Sequence, residues 1–367
     1  MAKVKINTAS IEIILLAALG IVLLLNLFLS GSINTKIGEK ISLVKELAKP
    51  ANLQLTIITD KNCKDCFSIA QTADSIKKAN VNILKEEELD ISSAKALISK
   101  YGIKVIPTII ITGEINKTNF GDFEEKGNAL VFAKQAPPYT DAVSGKILGK
   151  VSLIHLKDKS CDKCTDLTTI IDGLKQSAKI VDEKTLDISS SEGKELIKKY
   201  SIEQVPTLIL SNELSVYTTI SQGWSNVGTV EKDGSYVVRE ISPPYINAST
   251  NKIVGLVDLT MLTDKSCASC YDVTLHKPIL VRFSVDVTSE KTVDIADNEG
   301  KELIKKYDIK LAPTIILSKD AGVYTALKQI WPQVGSIEDD GTYVFRDVKQ
   351  MGSYKDLEKG EVIQASK

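Results

Sequence analysis

One passage of this chain is written three times. LQLTIITDKNCKDC (residues 53–66), VSLIHLKDKSCDKC (151–164) and VDLTMLTDKSCASC (257–270) align without gaps. Their first cysteines are Cys63, Cys161 and Cys267, giving periods of 98 and 106 residues. Periods of about 20–50 residues mark solenoids or arrays of small units; these periods are the length of a small domain. The match continues downstream with ELDISSAKALISKYGIKVIPTIII, TLDISSSEGKELIKKYSIEQVPTLIL and TVDIADNEGKELIKKYDIKLAPTIIL. A last block, GWSNVGTVEKDGSYVVRE and IWPQVGSIEDDGTYVFRD in the second and third copies, places Asp233-Gly234 and Asp340-Gly341 between strand-like residues. Both pairs predict hairpin turns.

Each copy opens with an apolar run suited to a buried strand. Behind the cysteines, Phe67, Ile69, Ala70, Ala73 and Ile76 recur at helical spacing, as do Leu167, Ile170, Ile171 and Leu174. A short strand near 81–84 precedes a second helix, in which Ala94, Leu97, Ile98 and Tyr101 share a face and Ser92 or Ser93 supplies the cap. The last strand begins at Pro107-Thr108. The expected order is strand, helix, strand, helix, strand, hairpin. Pro278, about two turns past Cys270, predicts a shorter or bent first helix in the third copy. The joints repeat as well: Pro137-Pro138-Tyr139 and Pro243-Pro244-Tyr245 precede the next copy at equal distance, and Tyr354, Asp356 and Gly360 keep the spacing of Tyr139, Asp141 and Gly145. The double prolines read as stiff polyproline-like connectors.

The cysteines carry the chemistry. All six are used in three Cys-x-x-Cys motifs, Cys63/Cys66, Cys161/Cys164 and Cys267/Cys270. A cysteine at the first turn of a helix meets unpaired N–H groups and the positive end of the dipole, which favours the reactive thiolate. A second cysteine three residues on lies within reach of a disulfide.

These motifs resemble the thioredoxin superfamily, in the manner of multi-domain disulfide oxidoreductases and isomerases. Each copy pairs the Cys-x-x-Cys with an apolar-Pro-Thr element, Ile106-Pro107-Thr108, Val205-Pro206-Thr207 and Ala312-Pro313-Thr314, 44, 45 and 46 residues after the first cysteine. The resemblance covers roughly residues 50 to 320 and implies three α/β thioredoxin-like domains with added hairpins, at 50–145, 146–251 and 252–367. It implies a cis proline beside each disulfide, with Ile106 and Pro107, Val205 and Pro206, Ala312 and Pro313 forming the substrate groove. It implies attack by Cys63, Cys161 and Cys267 and resolution by Cys66, Cys164 and Cys270. Protein thiols or disulfides would be the substrates, with a redox partner protein and no organic cofactor.

There are departures. Asn62, Ser160 and Ser266 stand where the family often has tryptophan, and Ile57, His155 and Met261 where it has a buried acid. Proton transfer from the second cysteine then needs another route. His155 could supply one, against the plainer reading of a partly buried strand histidine. The pairs between the cysteines, Lys64-Asp65, Asp162-Lys163 and Ala268-Ser269, predict unequal potentials. Lys61, Lys159 and Lys265 read as solvated loop residues.

Two other classes fit some of these features. Cys-x-x-Cys pairs are halves of zinc sites, but here they lie about one hundred residues apart. A surface protein with permanent disulfides is the second, although a staple over so short a loop stabilises little. A net charge of −1 argues against nucleic-acid binding, and two histidines exclude a multi-histidine metal centre. Residues 13–29 form an apolar run broken only by Gly20 and Asn26, long enough to span a bilayer. The expectation is an N-terminal anchor at about residues 11–30, with a cleaved secretory signal as the rival reading, a stalk over 31–50, and domains outside the cytoplasm.

Overall fold

The computed structural model describes Lys40 and residues 49–365. The apolar run at 13–29 lies outside the described residues. Among those described, no helix is long and apolar enough to cross a membrane. The described residues divide into two compact units, one ending at Leu148 and the other beginning at Gly149.

The first unit holds the first copy: β1 (Ala51–Thr59), α1 (Ala70–Lys77), β2 (Val81–Asp90), α2 (Lys95–Tyr101), β3 (Val105–Ile106), β4 (Thr108–Gly113), β5 (Phe123–Lys126), β6 (Ala129–Phe132), β7 (Tyr139–Asp141) and β8 (Ile147–Leu148). The main sheet runs β2-β1-β4-β6-β5, with β1 and β2 parallel and the other pairs antiparallel. A second sheet runs β3-β7-β8. Residues of β1 point alternately to two sides. Leu53, Leu55 and Ile57 pack with Ile69, Ala73 and Ile76 from the α1 side, while Ile58 packs with Ala94 and Tyr101 around α2.

The second unit holds two more copies. One comprises β9 (Val151–Lys157), α3 (Thr168–Ser177), β10 (Ile180–Asp187), α4 (Ser191–Tyr200), β11 (Gln204–Val205), β12 (Thr207–Leu210), α5 (Thr218–Gly223), β13 (Gly228–Val230), β14 (Tyr236–Val238), β15 (Tyr245–Asn247) and β16 (Lys252–Val254). The other comprises β17 (Val257–Thr263), α6 (His276–Arg282), β18 (Val287–Asp294), α7 (Asn298–Lys306), β19 (Leu311–Ala312), β20 (Thr314–Leu317), α8 (Thr325–Val334), β21 (Gly335–Ile337), β22 (Tyr343–Phe345), β23 (Tyr354–Asp356) and β24 (Glu361–Ile363). Both repeat the two-sheet plan, as β10-β9-β12-β14-β13 with β11-β15-β16 and as β18-β17-β20-β22-β21 with β19-β23-β24.

The hairpin turns stand where the Asp-Gly pairs predict them. Gly234 and Gly341 have φ of +83° and +84°, a region that disfavours side chains with a Cβ. Two local expectations are corrected, and the short first helix expected of the third copy is observed. Ser92 and Ser93 do not cap α2; the Ser92 hydroxyl and N–H both bond the Asp90 carboxylate, and the helix starts after Ala94 with no side-chain cap. The strand at 81–84 extends to Asp90, because β1 pairs along its whole length with β2. Helix α6 is short, seven residues against ten in α3, but Pro278 lies in its first turn, where an N–H has no helical partner to lose.

The joints are the largest correction. They are not polyproline connectors. Pro137–Pro138 and Pro243–Pro244 are cis, and the residues behind them form β7 and β15, which pair within their own copies. In the third copy Gly352 and Ser353 take the place of the prolines, and β23 pairs with β19 in the same way.

Candidate functional site

All six cysteines are closed in three disulfides, Cys63–Cys66, Cys161–Cys164 and Cys267–Cys270. They do not lie in the first turn of a helix. Helices α1 and α3 begin four residues past the second cysteine, and in the third copy a 3-10 turn at Val273–Leu275 precedes α6. The cause is one hydrogen bond. A helix starting at the motif would send the Phe67 N–H to the Cys63 carbonyl. It goes instead to Pro138 O at 2.8 Å. Thr165 N–H donates to Pro244 O and Tyr271 N–H to Ser353 O, each at 2.8 Å. The joint strand holds the motif in a turn, so the helix end is not beside the first sulfur.

Two carboxylates clamp each turn from below. The N–H groups of Cys63, Cys161 and Cys267 donate to the carbonyls of Asp60, Asp158 and Asp264. The same aspartates accept, through one side-chain oxygen, from the N–H groups of Asn62, Ser160 and Ser266. Asp90, Asp187 and Asp294, at the ends of β2, β10 and β18, accept from the N–H groups of Lys61, Lys159 and Lys265. These hydrogen bonds, led by those from Ser189, lower the Asp187 carboxyl to about 2. The three lysine side chains are exposed, as solvated loop residues are.

The bonds before Pro107, Pro206 and Pro313 are cis, as the resemblance implies. Ile106 is opposite Thr140, Val205 opposite Ile246, and Ala312 opposite Lys355. Ala142 N–H donates to Lys104 O. Antiparallel pairs alternate, so two residues on, Ile106 and Thr140 form the next hydrogen-bonded pair. Ala248 N–H to Glu203 O and Leu357 N–H to Lys310 O set the same phase in the other copies. The main chain of Ile106, Val205 and Ala312, expected to stand open to a substrate strand, is taken by the chain's own joint strand in each copy.

The residue that the joint strand offers differs in each copy. Thr140 is buried; its hydroxyl lies 3.9 Å from Cys66 Sγ and donates to Asp60 Oδ2 at 2.7 Å. Ile246 is buried in a cluster with Val205, against which Cys161 and Cys164 pack. Lys355 Nζ pairs with the buried Asp264 carboxylate at 2.8 Å. Burial pushes that carboxyl up, but the Lys355 and Ser266 bonds prevail and hold it below its ordinary value. Cys63 is 7% exposed, whereas Cys66 and the other four cysteines are half-buried. The expected first attacker of the first copy is thus the least exposed cysteine.

His155 is buried, and its Nε2 has no hydrogen-bond partner among the described residues. It alternates on β9 with Ile154 and Leu156, whose cluster receives the two cysteines. Burial lowers its pKa. His276 is buried behind the third motif, where its Nε2 and the Tyr271 hydroxyl lie 3.1 Å apart and that hydroxyl donates to Pro313 O. Burial drops His276 to about 4. No group of three or more histidine, cysteine or acidic residues among the described residues is placed to hold a metal.

Parallel β1–β2 with antiparallel β4 and β6, a Cys-x-x-Cys turn after β1 and a cis proline before β4 make each copy thioredoxin-like. No family model and no curated protein matches the chain. Among solved structures, it is similar to the N-terminal domain of alkylhydroperoxide reductase AhpF from Enterococcus faecalis at 16% identity, over 46% of this chain and 88% of that one, with a TM-score of 0.17. It is similar to human ERp44 at 11% identity, over 75% and 80%, with a TM-score of 0.15. A protein disulfide oxidoreductase from Aeropyrum pernix K1 gives 14%, over 45% and 78%, and 0.15. Scores this low assign no activity to this chain.

Proposed function

We propose that this chain is a membrane-tethered thiol–disulfide oxidoreductase acting on protein thiols and disulfides. Its three domains, 50–145, 146–251 and 252–367, stand outside the cytoplasm on an anchor at about residues 11–30. Cys63, Cys161 and Cys267 attack, Cys66, Cys164 and Cys270 resolve, and Pro107, Pro206 and Pro313 shape the approach of the substrate. Exchange proceeds through a mixed disulfide, and a redox partner protein resets each site. One observation carries this reading: three separate copies each hold a Cys-x-x-Cys disulfide in a turn beside the pre-proline strand. A bridge closing so short a loop removes little entropy from the unfolded chain, so stability alone does not account for three of them.

A second reading, permanent disulfides in a surface protein, is favoured by the joint strands, which fill the edges that Ile106, Val205 and Ala312 would offer. Under the first reading a substrate reaches the sulfurs over the exposed residues between the cysteines, or the joint hairpin opens.

The test is reactivation of scrambled ribonuclease in a glutathione buffer by the detergent-solubilised full chain. Reactivation above buffer alone, lost in the triple variant Cys63→Ser/Cys161→Ser/Cys267→Ser, is expected. Equal rates with wild type, with the variant and with buffer would leave the permanent-disulfide reading.

A further inference from the structure

We propose that Thr140 and Asp60 form the route by which the Cys66 thiol of the first copy loses its proton. The proposal rests on the exchange reading above. Sequence alone leaves Ile57 where the related fold has a buried acid, so the second cysteine needs another acceptor. The joint strand provides one. Thr140 Oγ1 lies 3.9 Å from Cys66 Sγ, at the outer reach of a hydrogen bond to sulfur, and donates to Asp60 Oδ2 at 2.7 Å. Because the hydroxyl proton is committed to Asp60, the oxygen's lone pairs are left to accept from an S–H. Asp60 is fixed in turn by Asn62 N–H on its other oxygen. Thr140 is 1% exposed, so water does not displace it.

In the reduced site, the Cys63 thiolate attacks a substrate disulfide; the Cys63–substrate bond forms as the substrate S–S bond breaks, and the first substrate sulfur leaves as a thiolate. Cys66 then gives its proton to Thr140 Oγ1 as the Thr140 proton passes to the Asp60 carboxylate. The Cys66 sulfur attacks Cys63 Sγ, the Cys63–Cys66 bond forms as the Cys63–substrate bond breaks, the second substrate sulfur leaves as a thiolate that takes a proton from solvent, and Asp60 releases its proton to solvent. The dithiol is oxidised by two electrons and the substrate disulfide is reduced by two. Thr140 touches the reacting sulfur; Asp60 acts through it. The charged groups next to this path in sequence are Lys61, whose N–H is held by Asp90, Lys64 and Asp65 between the cysteines, and Asp141 after Thr140, on the opposite side of β7.

The other copies supply internal controls, because Ile246 and Lys355 hold the matching position and neither offers a hydroxyl. The experiment starts with the reduced, detergent-solubilised full chain. Oxidised glutathione is added, samples are acid-quenched, and closure of each disulfide is followed by peptide mass spectrometry between pH 5 and 9. Thr140→Val and Asp60→Asn are expected to slow closure of Cys63–Cys66 by about tenfold, less than the usual effect of positioned proton transfer because solvent still accepts the proton. The loss is largest at low pH, and Cys161–Cys164 and Cys267–Cys270 in the same molecules are unchanged. Thr140→Ser is expected to keep the wild-type profile. Wild-type closure in Thr140→Val across the pH range would overturn the route and give the proton to solvent. A loss that Thr140→Ser shares, or that appears equally in all three sites, would make Thr140 only a packing residue. A wild-type first site that never exchanges with glutathione, seen before any variant is made, would overturn the exchange reading and the route with it.

Discussion

The first and third copies build their sites on one plan and finish them with different chemistry. In both, an aspartate three residues before the motif accepts from the turn, and a joint strand stands opposite the pre-proline residue. In the first copy that strand brings a hydroxyl to the aspartate, and in the third an ammonium. The second copy brings Ile246 and leaves its disulfide against an apolar neighbour. The scaffold is held by main-chain bonds and by the two aspartates that all three copies share. The polarity around each disulfide therefore depends on a single register position that can change without disturbing the fold.

The largest expected effect lies at Lys355. Lys355→Met strands a buried carboxylate and is expected to cost the third copy about 3 kcal/mol. The urea midpoint reports this through Trp331, in a Trp224→Phe background that leaves one tryptophan. No fall in midpoint would mean that the Asp264 pair contributes nothing. Next comes His276, which has no counterpart in the first copy. The unfolded chain takes a proton below about 6.5 and the folded chain only below about 4. The unfolded state binds more protons in that window, so stability is full above it and drains away as pH falls through it. Between pH 7 and 4.5 the third copy is expected to lose roughly 2 kcal/mol. His276→Gln should flatten that slope in the same Trp331 assay, and an unchanged slope would assign it to other groups. Thr140→Val removes a buried donor from Asp60 and is expected to cost the first copy about 1 kcal/mol, read as amide-exchange protection in β3 and β7. The smallest effect sharpens the second site. Ile246→Thr places a hydroxyl where Cys164 forms its thiolate and should raise the potential of that pair by about 20 mV, close to 1 kcal/mol; a fall would show that packing outweighs polarity there.

Much of the fold was legible because the repeat aligned strand to strand. The apolar run of β1, the apolar face of α2 that Tyr101 closes, and the Asp-Gly turns all follow from local rules. The site was legible only as residue types. Cysteine spacing predicts three disulfides but not where the helix starts, since the Phe67 N–H is claimed by Pro138, seventy-one positions away. The joints were visible as a repeat, but not their pairing with the pre-proline strand, which is set by register over a long separation. Asp60, Asp158 and Asp264 were in plain view in the repeated Asp-Lys pair. Nothing local marked them as partners of Thr140 or Lys355.

The most direct test of the account is the potential of each disulfide in the full chain, measured by equilibration in graded glutathione buffers and thiol alkylation counted separately for each copy. Three distinct values between about −120 and −270 mV are expected, with the Cys161–Cys164 pair the most reducing, because Ile246 offers its thiolate no polar partner. Potentials below about −300 mV in all three copies would mark structural disulfides and contradict it.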